Sequence, residues 1–282
     1  MKQLTWLITG CSSGFGEAFV HEILARGDRV IATGRNASER LKHLEGTGAA
    51  ILEIDVTASQ AELDSKVKEA LEIYYGIDVL VNNAGYFELG LLEEVRQMNT
   101  NLFGPMNMTK AILPYFRQRK EGKLVFIGSV NGFQGATASG PYTASKFALE
   151  ELSSFGIQSI IFEPGGFQTK LLSSSKVESA GTAQDEYQQF FAVVQEAIQS
   201  RNGWQPGNIQ KGVQRMVDVI RSEGYAAGRP LPKRLPLGSE SLNIIKEKCF
   251  EILRICNDWE DLIVSTDSEE VPGKKRKFDG AL

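Results

Sequence analysis

Between the apolar run Leu4–Ile8 and a helical pattern lies the segment Thr9-Gly10-Cys11-Ser12-Ser13-Gly14-Phe15-Gly16. Its glycine spacing, G-x-x-x-G-x-G, constrains the fold more than any other feature of the chain. Gly10 permits a tight turn off a strand, Gly14 lets backbone N–H groups approach a pyrophosphate, and Gly16 allows a helix to pack closely on a sheet. The N-terminus of the helix that follows favours negative charge. A glycine cluster alone marks many ordinary turns. The strand–turn–helix context at the first strand gives this one its meaning.

The rest of the first 165 residues repeats that alternation. Arg29–Thr33, Ala50–Ile54, Asp78–Val81, Lys123–Gly128 and Ile157–Phe162 are short apolar or β-branched runs with helical patterns between them. In Glu62–Tyr75 the apolar residues Leu63, Val67, Ala70, Leu71 and Tyr74 share one helical face. Strands alternating with helices predict an α/β fold, a doubly wound parallel sheet with helices on both faces. Beyond Pro164 the pattern predicts helices over Thr182–Ser200 and Gly207–Glu223, joined by a Trp204–Gly207 turn. Gly228–Gly238 holds three of the nine prolines, which limits it to a short strand around Leu235–Leu237. A final helix over Ser239–Leu262 lines up Leu242, Ile245, Cys249, Ile252 and Cys256. No long linker interrupts residues 1–264, which read as one domain; residues 265–282 read as a disordered polar tail. Its Lys274-Lys275-Arg276-Lys277 run, after the acidic Asp267–Glu270, reads as a solvated terminus, with a nuclear-import signal or an anionic contact as the alternative.

Bulk properties exclude several classes. The 282 residues can bury a substantial core without disulfides or metal. A net charge of −4 argues against a general nucleic-acid binder. Cys11, Cys249 and Cys256 form neither a zinc spacing nor a disulfide framework, and the last two read as core-facing thiols of a reducing compartment. His21 and His43 fall in helical patterns away from strand ends, so no metal is expected. No run is long enough for a signal peptide or membrane span, and the expectation is a cytoplasmic protein without a membrane partner.

The second strand ends in Gly34-Arg35, where a carboxylate would hold the ribose 2′-hydroxyl of NAD. A guanidinium there pairs with a 2′-phosphate, which predicts NADP(H) over NAD(H). Ser12 and Ser13 add hydroxyl contacts on this reading. The plainer alternative is that Arg35 is only a surface charge.

Further motifs follow in strand order: Asn82-Asn83-Ala84-Gly85 after the fourth strand, Ser129 after the fifth, Tyr142-Thr143-Ala144-Ser145-Lys146, and Pro164-Gly165-Gly166-Phe167-Gln168-Thr169. With the glycine turn, this set resembles the short-chain dehydrogenase/reductase signature over nearly the whole chain. Arg234-Leu235-Pro236-Leu237-Gly238 and the Trp259 region resemble a subgroup that includes hydroxysteroid-dehydrogenase-like and retinol-dehydrogenase-like enzymes. The resemblance implies a Rossmann sheet of order 3-2-1-4-5-6-7 and carbonyl–alcohol interconversion on a small molecule.

The chemistry accounts for the residue types. Hydride addition to a carbonyl leaves an alkoxide-like oxygen that needs a proton, and Tyr142 supplies it. An unperturbed phenol near pKa ~10 is a poor base for the reverse step. Lys146, one helical turn away, is expected to favour the phenolate. Ser129 would hold the substrate oxygen. The resemblance gives Lys146 a further role at the nicotinamide ribose, and Asn101 a water-mediated proton relay behind the lysine, with Asn99 the weaker alternative. It also assigns Asp55 and Val56 to the adenine, Asn83, Ala84 and Gly85 to the adenosine ribose, Pro164 and Gly165 to the nicotinamide, and Thr169 to its carboxamide or the diphosphate. Phe15 and Phe167, within the two glycine-bearing turns, complete the cofactor set. An apolar Gly166–Ser200 segment, with Phe167, Leu171, Leu172, Tyr187 and Phe190, suggests a hydrophobic substrate.

Two stretches are shorter than the family pattern: 16 residues from Gly85 to Asn101, and 18 from Lys146 to Pro164. A helix from Pro141 to about Phe155 still spans roughly 20 Å at 1.5 Å per residue, enough to return along a strand. The clipped end belongs to a helix that commonly forms the family's subunit interface, which puts a homo-oligomer in doubt. Two alternatives stand beside the enzyme reading. One is an NADP-binding protein impaired in catalysis by the shortened helices. The other is an extended sugar-nucleotide epimerase, disfavoured by Asn82-Asn83-Ala84-Gly85.

Overall fold

A computed structural model describes residues 2–87, 96–134, 140–147, 157–169 and 188–267. The chain opens with β1 (Thr5–Ile8), the glycine turn and α1 (Gly14–Ala25), then β2 (Arg29–Gly34), a short α2 (Ala37–Arg40), β3 (Ala50–Glu53), α3 (Gln60–Ile73) and β4 (Val79–Asn82). A short α4 (Arg96–Met98) leads through a wide π-type turn at Asn99–Phe103 into α5 (Gly104–Arg119), then β5 (Lys123–Ile127), α6 (Gly140–Phe147) and β6 (Gln158–Pro164). The remaining described elements are α7 (Gln188–Ser200), α8 (Ile209–Arg221), β7 (Arg234–Leu237), α9 (Ser239–Asp258) and α10 (Glu260–Val264).

The seven strands form one sheet of order β3-β2-β1-β4-β5-β6-β7, parallel throughout, as expected. Side chains alternate across a strand, and β1 shows the consequence. Trp6 and Ile8 join Phe19, Ile23, Val213 and Met216 on the face covered by α1 and α8. Leu7, between them, joins Leu63, Val67, Ile112 and Phe116 beneath α3 and α5. Both faces are buried, so the strands carry near-continuous apolar runs.

Order reverses between β1 and β4, which opens a crevice at their carboxyl ends. The turn after β1 is pinned there: Thr9 N–H donates to the Val81 carbonyl (3.0 Å) and Cys11 N–H to that of Thr33 (2.9 Å). Gly10 and Gly14 have φ of 72° and 64°, a region that disfavours any side chain. At Gly16 the reason is space, since a Cβ would lie 2.3 Å from the Gly10 carbonyl oxygen.

Two expectations for the C-terminal helix fail. Ser239–Leu262 is not one helix: Trp259 leaves helical geometry and separates α9 from α10. Cys249 and Cys256 are exposed, not core-facing, because only the first turns of α9 lie on the body. Cys11 is the buried cysteine instead, and burial pushes its thiol up to about 12. The shortened stretches fall largely outside the described residues, as do the far part of the helix expected to reach Phe155 and most of the polar tail.

Candidate active site

A cleft of about 1140 Å³ runs along the carboxyl edge of the sheet, from the β2–α2 turn to the N-terminal end of α9. The end near β1 is built for an anion. Ser12, Ser13 and Gly14 line it at the start of α1, and the Ser13 side chain makes no capping bond to that helix. Asn83 fastens this turn to β4, its side-chain amide donating to the Thr9 (2.9 Å) and Gly10 (3.0 Å) carbonyls. Thr9, which the sequence reading passed over, binds back through its hydroxyl, accepting from Asn83 N–H and Ala84 N–H at 3.0 Å each. The Asn83 side chain is therefore occupied in holding the turn, and Ala84 and Gly85 present the adjoining wall.

Arg35 and Arg40 line the far end of the cleft and are exposed, and among the described residues neither pairs with a carboxylate. Glu53, the nearest acid in the β3 register, is turned away and accepts from Ala37 N–H (3.1 Å). Asp55 and Val56 line the wall beside them; Asp55 accepts from the backbone N–H and hydroxyl of Thr57 at 2.9 and 2.7 Å. Arg40 was missed because it lies on a four-residue helix with no signature of its own.

At the centre of the cleft, β5, α6 and the π-type turn converge. Ser129 follows β5, and its hydroxyl hydrogen-bonds the Tyr142 phenol. Tyr142 is buried, with the Phe87 ring edge-on at 5.2 Å. Lys146, four residues along α6, donates from Nζ to the Ile127 carbonyl (2.9 Å) and lies 5.6 Å from the centre of the Tyr142 ring. Gly132 lets the helix come this close, since a Cβ there would lie 3.1 Å from the Lys146 backbone carbon. Asn101, fully buried, receives Tyr86 N–H (3.0 Å) and donates to the Tyr86 carbonyl (2.8 Å). Asn101 Oδ1 and Lys146 Nζ flank Gly85, at 3.2 and 3.7 Å from the position of a Cβ there. Asn99 is exposed on the same turn.

The electrostatics differ from expectation in one respect. Burial pushes the Tyr142 phenol above its ordinary value, and the Ser129 hydrogen bond only partly opposes this. Burial also lowers Lys146, to about 8. The expected depression of the phenol by the lysine is not realised, because the ammonium is directed at the Ile127 carbonyl and dehydration of the phenolate dominates.

The floor on the β6 side is the Pro164–Thr169 turn. Phe167 packs against Phe15 (5.2 Å between ring centres) and under Gly207 and Gly212. Thr169 reaches Gly14, 3.8 Å from the place of a Cβ there. Glu240, at the start of α9, accepts from Gly166 N–H (2.6 Å). Gln205 is buried at 7% exposure with its Nε2 unpartnered. Neither was foreseen, since each reaches the cleft from a distant part of the chain. The open side is apolar: Val193, Val194, Ala197 and Ile198 of α7, with Trp204 beyond. Leu171, Leu172, Tyr187 and the side chain of Phe190 lie outside the described residues. No group of metal-ligating side chains occurs among the described residues, and none of their helices is long and apolar enough to cross a membrane.

A parallel sheet of this order, with a glycine turn after β1 and Ser, Tyr and Lys meeting where the carboxyl end of β5 faces α6, defines a class of nucleotide-dependent oxidoreductases. The profile of the family described as short chain dehydrogenase matches residues 5–179, and the chain belongs to that family. It is 34% identical over 227 residues to 3-ketodihydrosphingosine reductase of Bacteroides thetaiotaomicron, covering 75% of this chain and 82% of that one. It is also 34% identical over 243 residues to human retinol dehydrogenase 8, covering 77% and 78%. A short-chain dehydrogenase from Streptomyces avermitilis superposes with a TM-score of 0.78 at 30% identity, over 95% of this chain and 100% of that chain.

Proposed function

We propose that this chain is an NADP(H)-dependent oxidoreductase that interconverts a carbonyl and an alcohol on a hydrophobic small molecule, with Tyr142 as general acid and base. The observation that carries the reading is the convergence of Ser129, Tyr142 and Lys146 at the centre of one cleft whose far end is an anion cradle. The cradle suits a dinucleotide: a Cβ on Gly10 would sit 2.8 Å from Ala84, and Ser12 and Ser13 keep their polar groups toward the cleft. Arg35 and Arg40 would hold a 2′-phosphate. Pro164, Gly165, Phe167 and Thr169 would frame the nicotinamide, which supplies hydride chemistry when bound.

The residues of the chain do the rest. Ser129 orients the substrate oxygen beside the Tyr142 hydroxyl. Tyr142, held protonated by burial, gives its proton to that oxygen in reduction and takes it back in oxidation. Lys146, charged below about 8, would hold the nicotinamide ribose hydroxyls beside Tyr142 when the nucleotide is bound. Asn101 clamps Tyr86 and fixes the wall behind the lysine, the place for the expected relay. The apolar wall of α7 favours an apolar substrate body. The names of the relatives, a retinol dehydrogenase and a ketodihydrosphingosine reductase, suit a long apolar alcohol or ketone. Residues 1–264 form the unit that carries this activity, in the cytoplasm.

The test is a panel of ketones, aldehydes and alcohols of increasing apolar length, with NADPH and NADH supplied separately. Turnover is expected with NADPH, with kcat/KM rising with chain length. Preference for NADH would remove the assignment of Arg35. Nucleotide binding without turnover on any member would favour the impaired-binder alternative.

A further inference from the structure

Of the charges that line the cleft, the proposed reaction leaves one cation without a role. The basic residues on its walls are Arg35, Arg40, Lys146 and Arg201, and the acidic ones are Asp55 and Glu240. Arg35 and Arg40 belong to the proposed 2′-phosphate contact, and Lys146 to the ribose. Arg201 is exposed at the cleft and pairs with no carboxylate among the described residues.

Its placement follows from α7. Val193, Val194, Ala197, Ile198 and Arg201 all line the cleft, at the spacing of one helical face. Gln195, Glu196 and Gln199, on the other face, do not line it. Arg201 continues this apolar wall one residue past the helix, its N–H donating to the Ile198 carbonyl (3.2 Å). The turn that follows is tied to the floor of the cleft. Trp204 N–H donates to the Arg201 carbonyl (3.1 Å), Gln168 Nε2 to the Gln205 carbonyl (3.0 Å), and Gly207 N–H to the Gly166 carbonyl (2.9 Å). Gln205 adds a second donor to this stretch of wall. Gly203 N–H donates to its Oε1 (2.8 Å), which fixes the amide and leaves Nε2 buried without a partner. A buried donor with nothing to donate to costs free energy until a ligand supplies an acceptor.

An unpaired guanidinium and an unfilled N–H, at the end of an apolar wall, suit an anion at the end of an apolar chain. The local charge selects which anion. Glu240, whose Oε2 accepts from Gly166 N–H (2.6 Å), stands on the same floor. A phosphate monoester, at about −1.5 to −2 near neutral pH, would leave negative charge uncompensated beside that carboxylate. A carboxylate matches a single guanidinium both in charge and in its pair of acceptor oxygens. From Val193 to Arg201 the wall runs about 12 Å at 1.5 Å per residue, room for a hydrocarbon chain of medium length.

We propose that the substrate is an apolar ketone, aldehyde or alcohol that ends in a carboxylate, and that Arg201 selects it. The inference rests on the carbonyl–alcohol reading above. The reacting carbon meets Ser129 and Tyr142, the hydrocarbon lies along α7, and the carboxylate meets Arg201 and Gln205. Arg201 touches the end of the substrate that does not react, so it contributes to binding and not to the chemical step.

The experiment compares ω-oxododecanoate with its methyl ester, which has the same reacting end and no charge. Steady-state constants with NADPH are measured on the wild type, Arg201→Gln and Arg201→Lys. Calorimetric titration of the same pair in the presence of NADP, which cannot reduce either compound, reads binding without turnover. The wild type should show a KM for the acid about tenfold below that for the ester, with similar kcat. Arg201→Gln should erase the difference by raising the KM for the acid to that for the ester. Arg201→Lys should keep part of it, since the charge stays and the fork is lost. Equal constants for acid and ester in the wild type would overturn the proposal. So would equal losses on both compounds in Arg201→Gln, or a raised KM for NADPH, which would put Arg201 on the nucleotide. Acid-selective binding that depends on Arg201, with turnover of neither compound, would sink the oxidoreductase reading and leave the Arg201 site standing. Absence of both turnover and selective binding would overturn the two together.

Discussion

At the scale of single residues, burial governs the chemistry of the cleft. Lys146 stays charged only below about 8, and the Tyr142 phenol, pushed up by its own burial, keeps its proton throughout that range. The proposed reduction needs both protons in place, so its rate should fall as pH rises through about 8. In Lys146→Arg the guanidinium cannot lose its charge. That variant should be slower, and its alkaline limb should disappear; the same limb in wild type and variant would detach it from Lys146. Gln205 Nε2 and the Glu240 carboxylate are the polar groups near the Pro164–Thr169 turn that no motif announces. Gln205→Leu should raise KM several-fold, as expected for removal of a donor that finds its partner only when the cleft is filled. Unchanged steady-state constants would mean that this amide has no partner in turnover.

At the scale of elements, the β1–turn–α1 unit and the β2 end make up the proposed nucleotide site. Gly16→Ala would drive a methyl against the Gly10 carbonyl, so the turn must open and nucleotide affinity should fall ~10-fold or more, readable by quenching of NADPH fluorescence. Arg35→Ala should raise the KM for NADPH by a similar factor and leave that for NADH almost unchanged, because only the former carries the 2′-phosphate. Equal losses with both nucleotides would place Arg35 outside that contact. Elements of this kind were legible in the sequence because strands, glycine turns and strand-end motifs are local. Thr9 as the clasp of the turn and Gly132 were not legible, since each acts through a neighbour distant in sequence, and Arg40 was not because its four-residue helix carries no signature. The α9 stripe was legible as amphipathic but assigned to the core. Periodicity shows that a face is apolar, and it is silent on what covers that face.

At the scale of the whole molecule, a charge cluster ties the first helix to the last one covering the same sheet face. Arg26 at the end of α1 bonds Glu22 (2.7 Å), Asp218 (2.8 Å) and Glu223 (2.7 Å), and Arg221 bonds Asp28 and Glu223. Burial works against the ionised acids, yet hydrogen bonds from Arg26 bring both Asp218 and Glu223 below their ordinary values. A carboxylate with a depressed folded-state value contributes stability above its unfolded value, and that stability is lost as pH falls through the folded one. Acid unfolding should therefore begin below the ordinary carboxylate range, near pH ~4. Arg26→Ala should move it to higher pH and cost about 1–2 kcal/mol near neutrality, because the nearly buried Asp218 loses one of its two arginine partners and keeps only Arg215 (2.7 Å). Urea titration across pH reads both, and identical acid midpoints would exclude the cluster as a determinant.

Tyr142 is the proton donor of the proposed reaction. Its most direct test is turnover by Tyr142→Phe on the best carbonyl of the panel, with NADPH affinity measured on the same preparation. A fall of ~10²–10⁴-fold in kcat is expected with nucleotide affinity held, because the lost hydroxyl acts on the substrate oxygen. Turnover within a few-fold of wild type would contradict it.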